Sequence, residues 1–149
     1  MKGLFQSKHA ASPSYTAQMI ISADGRLISP LCVVLQEKSG FFGSRVKKNM
    51  FAASNLFILC TESGKLTTAS WKEFLQKCLF ESLDDNSLLI LDSWKVGKNE
   101  DYIAAAKPEN KELQLLVIPE EATSEAQPLD VYFNIYWKKI SNYLTNIFY

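Results

Sequence analysis

An Asp-Gly turn between two strand-like segments is the feature that most constrains the fold. Residues 15–22 alternate in polarity and then become apolar, and residues 27–36 form a second apolar segment. Asp24 and Gly25 lie between them, and such a pair readily adopts the positive backbone φ angles that a tight turn needs. The sequence therefore predicts a β-hairpin near the start of the chain, preceded by an irregular arm over residues 1–14.

The rest of the chain alternates between apolar runs of strand length and segments with helical spacing. After the hairpin we expect strand, helix, strand, short helix, strand and long helix, over residues 56–60, 67–83, 88–91, 101–106, 113–118 and 128–149. This order is typical of an α/β domain with a mixed sheet and helices packed on its faces. The 149 residues allow one domain and hardly a second.

Apolar patterns predict which sides of these elements are buried. In the first long helix an apolar stripe recurs at i, i+3, i+4, i+7 and i+8, in Trp71, Phe74, Leu75, Cys78 and Leu79. In the last helix the stripe consists of Leu129, Phe133, Trp137, Ile140, Leu144 and Ile147, and we expect it to face the sheet. The run 88–91 is apolar without alternation, which predicts a strand covered on both faces.

Composition excludes several classes of function. Sixteen basic residues balance sixteen acidic ones, so the chain as a whole has no positive field that would attract nucleic acid. A single histidine, His9, excludes a His-rich zinc site. Cys32, Cys60 and Cys78 form no Cys-x-x-Cys pair, and we interpret them as reduced, buried thiols of an intracellular protein. No apolar run is long enough to span a membrane, and the N-terminus lacks the pattern of a signal peptide.

Two aspartates are the main candidate functional residues. Asp92 ends the run 88–91, and ligands of α/β sheets bind beyond the carboxyl ends of strands. Asp130 lies in the first turn of the last helix, where the helix dipole stabilises a carboxylate by up to about 1 kcal/mol. If the two converge, their repulsion favours a bound cation, and carboxylate oxygens suit Mg²⁺ or Mn²⁺. The structural alternatives are that Asp92 caps the next turn through Ser93 or Trp94, and that Asp130 only serves the dipole.

A basic and aromatic segment between Lys38 and Phe51 is the third candidate. It interleaves lysines and an arginine with phenylalanines and glycines, a composition that can contact a nucleic-acid backbone. The interpretation we favour from sequence is a solvated loop, irregular over residues 38–53, that tucks its phenylalanines into the core.

Several short motifs run in order along nearly the whole chain. They are Ser14-Tyr15-Thr16, Ile21-Ser22-Ala23-Asp24-Gly25, Leu35-Gln36-Glu37, Phe42-Gly43-Ser44-Arg45-Val46, Ser63-Gly64-Lys65-Leu66-Thr67, Leu91-Asp92-Ser93-Trp94 and Gln127-Pro128-Leu129-Asp130-Val131-Tyr132. Together they resemble the catalytic domain of DDE-type transposases, in the pogo/Tigger-like branch of the mariner superfamily. The resemblance implies a ribonuclease H-like mixed sheet flanked by helices, DNA as the partner, a nuclear location and divalent ions, Mg²⁺ or Mn²⁺, held by three acids.

Matched one residue at a time, Asp92 corresponds to the second acid of the family and Asp130 to the third, as catalytic residues and metal ligands. The first acid has no counterpart, because in the family it lies on a strand upstream of the hairpin, whereas Asp24 lies in the turn. The resemblance thus implies a partial catalytic domain over residues 1–149 with its first strand missing, either a fragment or a domesticated remnant.

The expected ancestral reaction is metal-dependent DNA cleavage and transfer, with little activity in this chain. A homo-oligomer is a further expectation. The alternative is a domesticated, non-enzymatic domain that binds a protein or chromatin.

Overall fold

The hairpin forms as the sequence predicts. In the computed structural model, which describes residues 15–122 and 135–139, β1 (Tyr15–Ile21) pairs antiparallel with β2 (Leu27–Gln36). Gly25 in the connecting turn has a φ of +85°, a conformation that residues with a Cβ adopt only with strain. The Asp-Gly turn therefore sets the pairing next to it, Ile20 with Ile28 and Ile21 with Leu27, and the register shifts further along, between Gln18 and Ile20.

The strands form two sheets rather than the single sheet predicted. β3 (Leu56–Thr61) adds in parallel to the other side of β2, so β2 is a central strand. β4 (Asn86–Leu91) and β5 (Glu112–Val117) form a separate parallel pair. Within the described ranges no strand joins the two sheets, so β4 has β5 as its only neighbour there.

The helices agree with the sequence pattern except at two places. In chain order they are α1 (Ser44–Asn49), α2 (Thr68–Phe74), a π-helical turn (Leu75–Leu79), α3 (Phe80–Ser82), α4 (Glu100–Ala106) and a 3₁₀ turn (Glu120–Ala122). Elements α2 to α3 follow one another without a break, where one helix was predicted. One exception is α1, since residues 38–53 were expected to contain no regular element. The other is the short 3₁₀ turn, which lies between the last predicted strand and the last predicted helix.

Helix α2 begins where the sequence indicates because of a capping box. The Thr67 hydroxyl accepts a hydrogen bond from the Ser70 N–H at 3.3 Å, and the Ser70 hydroxyl accepts one from the Thr67 N–H at 2.7 Å. These two bonds satisfy backbone donors that the first helical turn leaves without partners.

The core lies where the predicted helical stripe meets the sheets. Every residue of that stripe is at most 2% exposed: Trp71, Phe74, Leu75, Cys78 and Leu79. Cys32 and Val34 of β2 are fully buried against it, and Leu89 and Leu91 of β4 pack on the same cluster. Both sheets therefore share one set of helices, which confirms the predicted mixed α/β class.

The opposite face of the β4–β5 sheet is exposed in the part of the chain that the structure describes. Leu88 is 57% exposed, and Ile90 and Leu116 are each 52% exposed. The prediction that β4 is covered on both faces is therefore wrong for the described residues. The reason is that the described helices pack against Leu89 and Leu91, on the other side of the strand.

Some predicted features lie outside the described residues. These are the N-terminal arm with His9, Asp130, and most of the last stripe: Leu129, Phe133, Ile140, Leu144 and Ile147. Residues 135–139 are helical, as predicted, and Trp137 is half-buried. That the stripe faces the sheet stays a prediction. Among the described helices, none has the length and apolar character needed to cross a bilayer.

Candidate functional site

Asp92 comes directly after β4, at the carboxyl end of the strand. The β4–β5 ladder reaches this point, since the Ile118 N–H donates to the Leu91 carbonyl at 2.8 Å. Asp92 is half-buried, and its Oδ1 accepts a hydrogen bond from the Trp94 N–H at 3.1 Å. This is the turn-capping role that was the structural alternative. It occupies one carboxylate oxygen and leaves the other without a hydrogen bond from a described residue.

The loop after Asp92 is anchored by Trp94, whose ring packs edge-on against Trp71 with centroids 5.6 Å apart and an interplanar angle of 89°. A Cβ at Gly97 would lie 2.9 Å from the Trp94 ring, so this packing requires glycine there. Trp71 is 2% exposed, and the Asp92 loop is thus tied to the core. Sequence reasoning missed this anchor; a tryptophan followed three residues later by glycine was the available signal.

A divalent cation needs more ligands than Asp92 supplies. Mg²⁺ requires several oxygen ligands in near-octahedral geometry. Across residues 15–122 and 135–139, no three His, Cys, Asp or Glu side chains are grouped so that they would hold a metal ion. Asp130 lies outside these ranges, so its pairing with Asp92 stays a prediction. The described donors alone therefore do not fit Mg²⁺ or Mn²⁺.

Asp24 serves the hairpin turn, as the sequence indicates. Its Oδ2 lies 2.7 Å from the Arg26 Nε, and both side chains are more than half exposed. The Ser22 hydroxyl donates a hydrogen bond to Asp24, and this bond, together with those from Arg26, lowers the pKa of the carboxyl below its usual value. Asp24 thus has its hydrogen-bond partners within the turn, in Ser22 and Arg26.

The cysteines are free, and two of them are buried as predicted. A hydrogen bond between the Cys32 and Cys78 side chains, and then burial, raises the pKa of Cys32 far above its usual value. Cys32 and Cys78 are both fully buried and pack as core residues, as the sequence predicts. Cys60 is half-buried and its thiol donates to the Gly40 carbonyl at 3.5 Å; burial raises its pKa as well.

The basic segment between Lys38 and Phe51 is exposed, which corrects the interpretation favoured from sequence. Phe41 is 66% exposed and Phe51 is 72% exposed, while Phe42 is half-buried. Helix α1, within this segment, buries none of its residues. The expectation that the phenylalanines enter the core is therefore wrong for Phe41 and Phe51. A pattern of apolar residues in a loop does not say which of them face water.

The family model described as DDE superfamily endonuclease matches residues 15–146, which include Asp92, Asp130 and every described strand. The chain belongs to the DDE superfamily endonuclease family. The mixed α/β fold of this DDE-family chain is consistent with a ribonuclease H-like architecture. Comparison with curated proteins and comparison with solved structures each found no match. The family usually uses divalent metals, and an endonuclease has nucleic acid as its substrate.

Proposed function

We propose that this chain is a transposase-derived DDE domain that binds DNA and, on its own, has little or no strand-cleaving activity. Its ancestral reaction is metal-dependent cleavage and joining of DNA. The observation that carries the proposal is Asp92 at the carboxyl end of β4, in a chain that belongs to the DDE superfamily endonuclease family. We infer the low activity from the motif match, which assigns two acids, Asp92 and Asp130. Assignment to the pogo/Tigger-like branch is supported by the Gln127–Asp130 motif.

The expected loss of activity follows from ligand number and geometry. In two-metal sites, carboxylates fix two cations that stabilise the attacking and leaving oxygens. A cation that lacks one of the three carboxylates of the family site has too few ligands to hold its position, and positioning supplies much of the rate enhancement. The one-sided pairing of β4 in the described ranges supports this further, because no neighbouring described strand carries a second acid next to Asp92.

DNA cleavage by the 149-residue chain tests the proposal. A labelled duplex is incubated with the chain in Mg²⁺ or Mn²⁺ and the products are resolved by size. We expect cleavage no faster than that of the Asp92→Asn variant, which has nearly the same shape without the charge. Cleavage that depends on Asp92 would contradict the proposal.

A chain extended upstream separates this proposal from its alternative. Adding a strand that carries an aspartate should give Asp92-dependent cleavage, and changing the added aspartate to asparagine should abolish it. If the extended chain folds and still does not cleave, the domesticated, non-enzymatic alternative is favoured. The observation that favours that alternative is the exposed apolar face formed by Leu88, Ile90 and Leu116, which suits a protein partner.

Two further proposals concern location and assembly. A domain that acts on chromosomal DNA belongs in the nucleus, and microscopy of the fluorescently tagged chain tests this.

Transposase-derived domains that join two DNA ends work as pairs, so we also propose a homo-oligomer. Light scattering at several protein concentrations tests it, and a monomer throughout would contradict it.

A further inference from the structure

We propose that the segment from Lys38 to Phe51, here called the α1 surface, binds single-stranded nucleic acid. It consists of α1 and the residues on either side, and it does not include Asp92. The inference rests on the proposed DNA-binding function and adds the surface and the strand state that this function uses.

Charge is the first observation. The segment contains Lys38, Arg45, Lys47 and Lys48, and no acidic residue occurs between Glu37 and Glu62. This is a local excess of positive charge in a chain whose sixteen basic residues equal its sixteen acidic ones, so the rest of the chain has a negative net charge. All four cationic residues are exposed, and the ion pairs among described residues are Arg26–Asp24 and Lys77–Glu81. The cations of the α1 surface are therefore available for phosphates.

Aromatic exposure is the second observation. Phe41 precedes α1 and is 66% exposed, Phe51 follows it and is 72% exposed, and Val46 between them is 44% exposed. Exposed rings stack on unpaired bases whatever the sequence, whereas the bases of a duplex are already stacked. Exposed phenylalanines beside cations therefore favour a single strand over a duplex.

Local structure does not otherwise explain these residues. Lys47 and Lys48 lie in the last turn of α1, where the helix dipole favours cations. The helix dipole accounts for these two lysines but not for the exposed phenylalanine rings. Helix α1 buries none of its residues, so packing of an apolar face does not explain the rings either. A neighbouring open cavity of about 510 Å³ is lined by Glu62 and Glu73. Its carboxylates repel phosphate, so we expect a bound strand to contact Phe41, Phe51 and the cations rather than this cavity.

Fluorescence anisotropy with labelled oligonucleotides tests the proposal. The 149-residue chain is titrated, with EDTA present, against a single-stranded oligothymidylate and a duplex of equal length, at several salt concentrations. We expect tighter binding to the single strand, weakening as salt rises with a log–log slope of roughly −0.7 per phosphate contact.

Two pairs of variants assign binding to the α1 surface. F41A/F51A should weaken single-strand binding about tenfold or more and duplex binding less, whereas Tyr102→Ala, an exposed ring on α4, should change neither. K47Q/K48Q should weaken binding to both ligands and reduce the salt slope. K72Q/K77Q removes the same charge from α2 and the π-helical turn that follows it, and should change binding to either ligand less than twofold.

The outcomes separate failure of this inference from failure of the proposed function. Binding that the control variants reduce as much as the α1 variants would overturn the inference while leaving DNA binding intact. No binding to either oligonucleotide would overturn both. Binding to phosphatidylserine vesicles, lost in F41A/F51A and without any binding to the single strand, would identify a membrane surface instead.

Discussion

Strands β2 and β4 are both apolar, yet they have different surroundings. β2 lies between β1 and β3, and its Cys32 and Val34 are fully buried. β4 has only β5 beside it in the described ranges, and its Leu88 and Ile90 are more than half exposed. We therefore expect the local free energy of unfolding to be higher around β2 than around β4. Asp92, the candidate catalytic residue, follows the strand that has fewer described neighbours.

Backbone hydrogen bonds show the same difference. The Leu91 carbonyl accepts from Ile118, which follows β5. In an extended strand the N–H and C=O groups of one residue point to the same side, and those of the next residue point to the other side. The backbone groups of Leu89 and Leu91 therefore bond toward β5, while those of Leu88 and Ile90 point away from it. Among the described residues that open side has no neighbouring strand. In β2 both sides are paired.

The largest loss of stability is expected from truncating a leucine in the core, and the same change on the exposed face of β4 is its control. Leu75 is fully buried, so Leu75→Ala should lower the free energy of unfolding by about 2–5 kcal/mol. Leu88→Ala, the same change at a 57% exposed site, should cost no more than about 0.5 kcal/mol. Urea unfolding followed by tryptophan fluorescence measures both. Equal losses would break the comparison and show that the β4 face is covered.

The next effect concerns the hairpin that places β1 beside β2. Gly25 has positive φ with no atom within 4 Å of an added Cβ, so Gly25→Ala strains only the backbone and should cost about 1–2 kcal/mol. Gly25→Asn should recover part of this loss, because asparagine tolerates positive φ better. If asparagine is no better than alanine in the same unfolding experiment, backbone conformation is not the cause.

The smallest effect is expected at the start of α2. Thr67→Ala removes the capping box and should destabilise the chain by about 1 kcal/mol. Thr68→Ala, one residue later and without a capping bond, is the matched control and should be nearly neutral. Thermal unfolding detected by circular dichroism compares the two variants, and a larger loss in Thr68→Ala would contradict the assignment of the cap.

Local sequence patterns predicted which residues of the helical core are buried. They did not predict the exposure of the β4 face, because that depends on which distant segments pack against it. The spacing of Trp71 to Leu79 predicted their burial, because one helical turn determines which residues share a face. The run at Leu88–Leu91 gave no such information, since an apolar strand is compatible with one or two covered faces. The same holds for Phe41 and Phe51, whose exposure depends on what packs near α1.

The parts of the candidate site that depend on neighbouring residues in the sequence could likewise be predicted, and those that depend on distant residues could not. Asp92 at a strand end and its capping of Trp94 both follow from the local sequence. The anchoring of Trp94 on Trp71 does not, because the two lie on different elements. Pairing of Asp92 with Asp130 depends on residues outside the described ranges and stays a prediction.

Amide hydrogen exchange in β4, followed by NMR, tests most directly whether Asp92 stands at the end of an incompletely paired strand. We expect the amides of Leu89 and Leu91 to be protected and those of Leu88 and Ile90 to exchange rapidly, while Val34 and its neighbours in β2 are protected without alternation. Protection of Leu88 and Ile90 as strong as that of Leu89 would show that a further strand pairs with β4, and it would contradict the one-sided pairing of β4 that the described residues show.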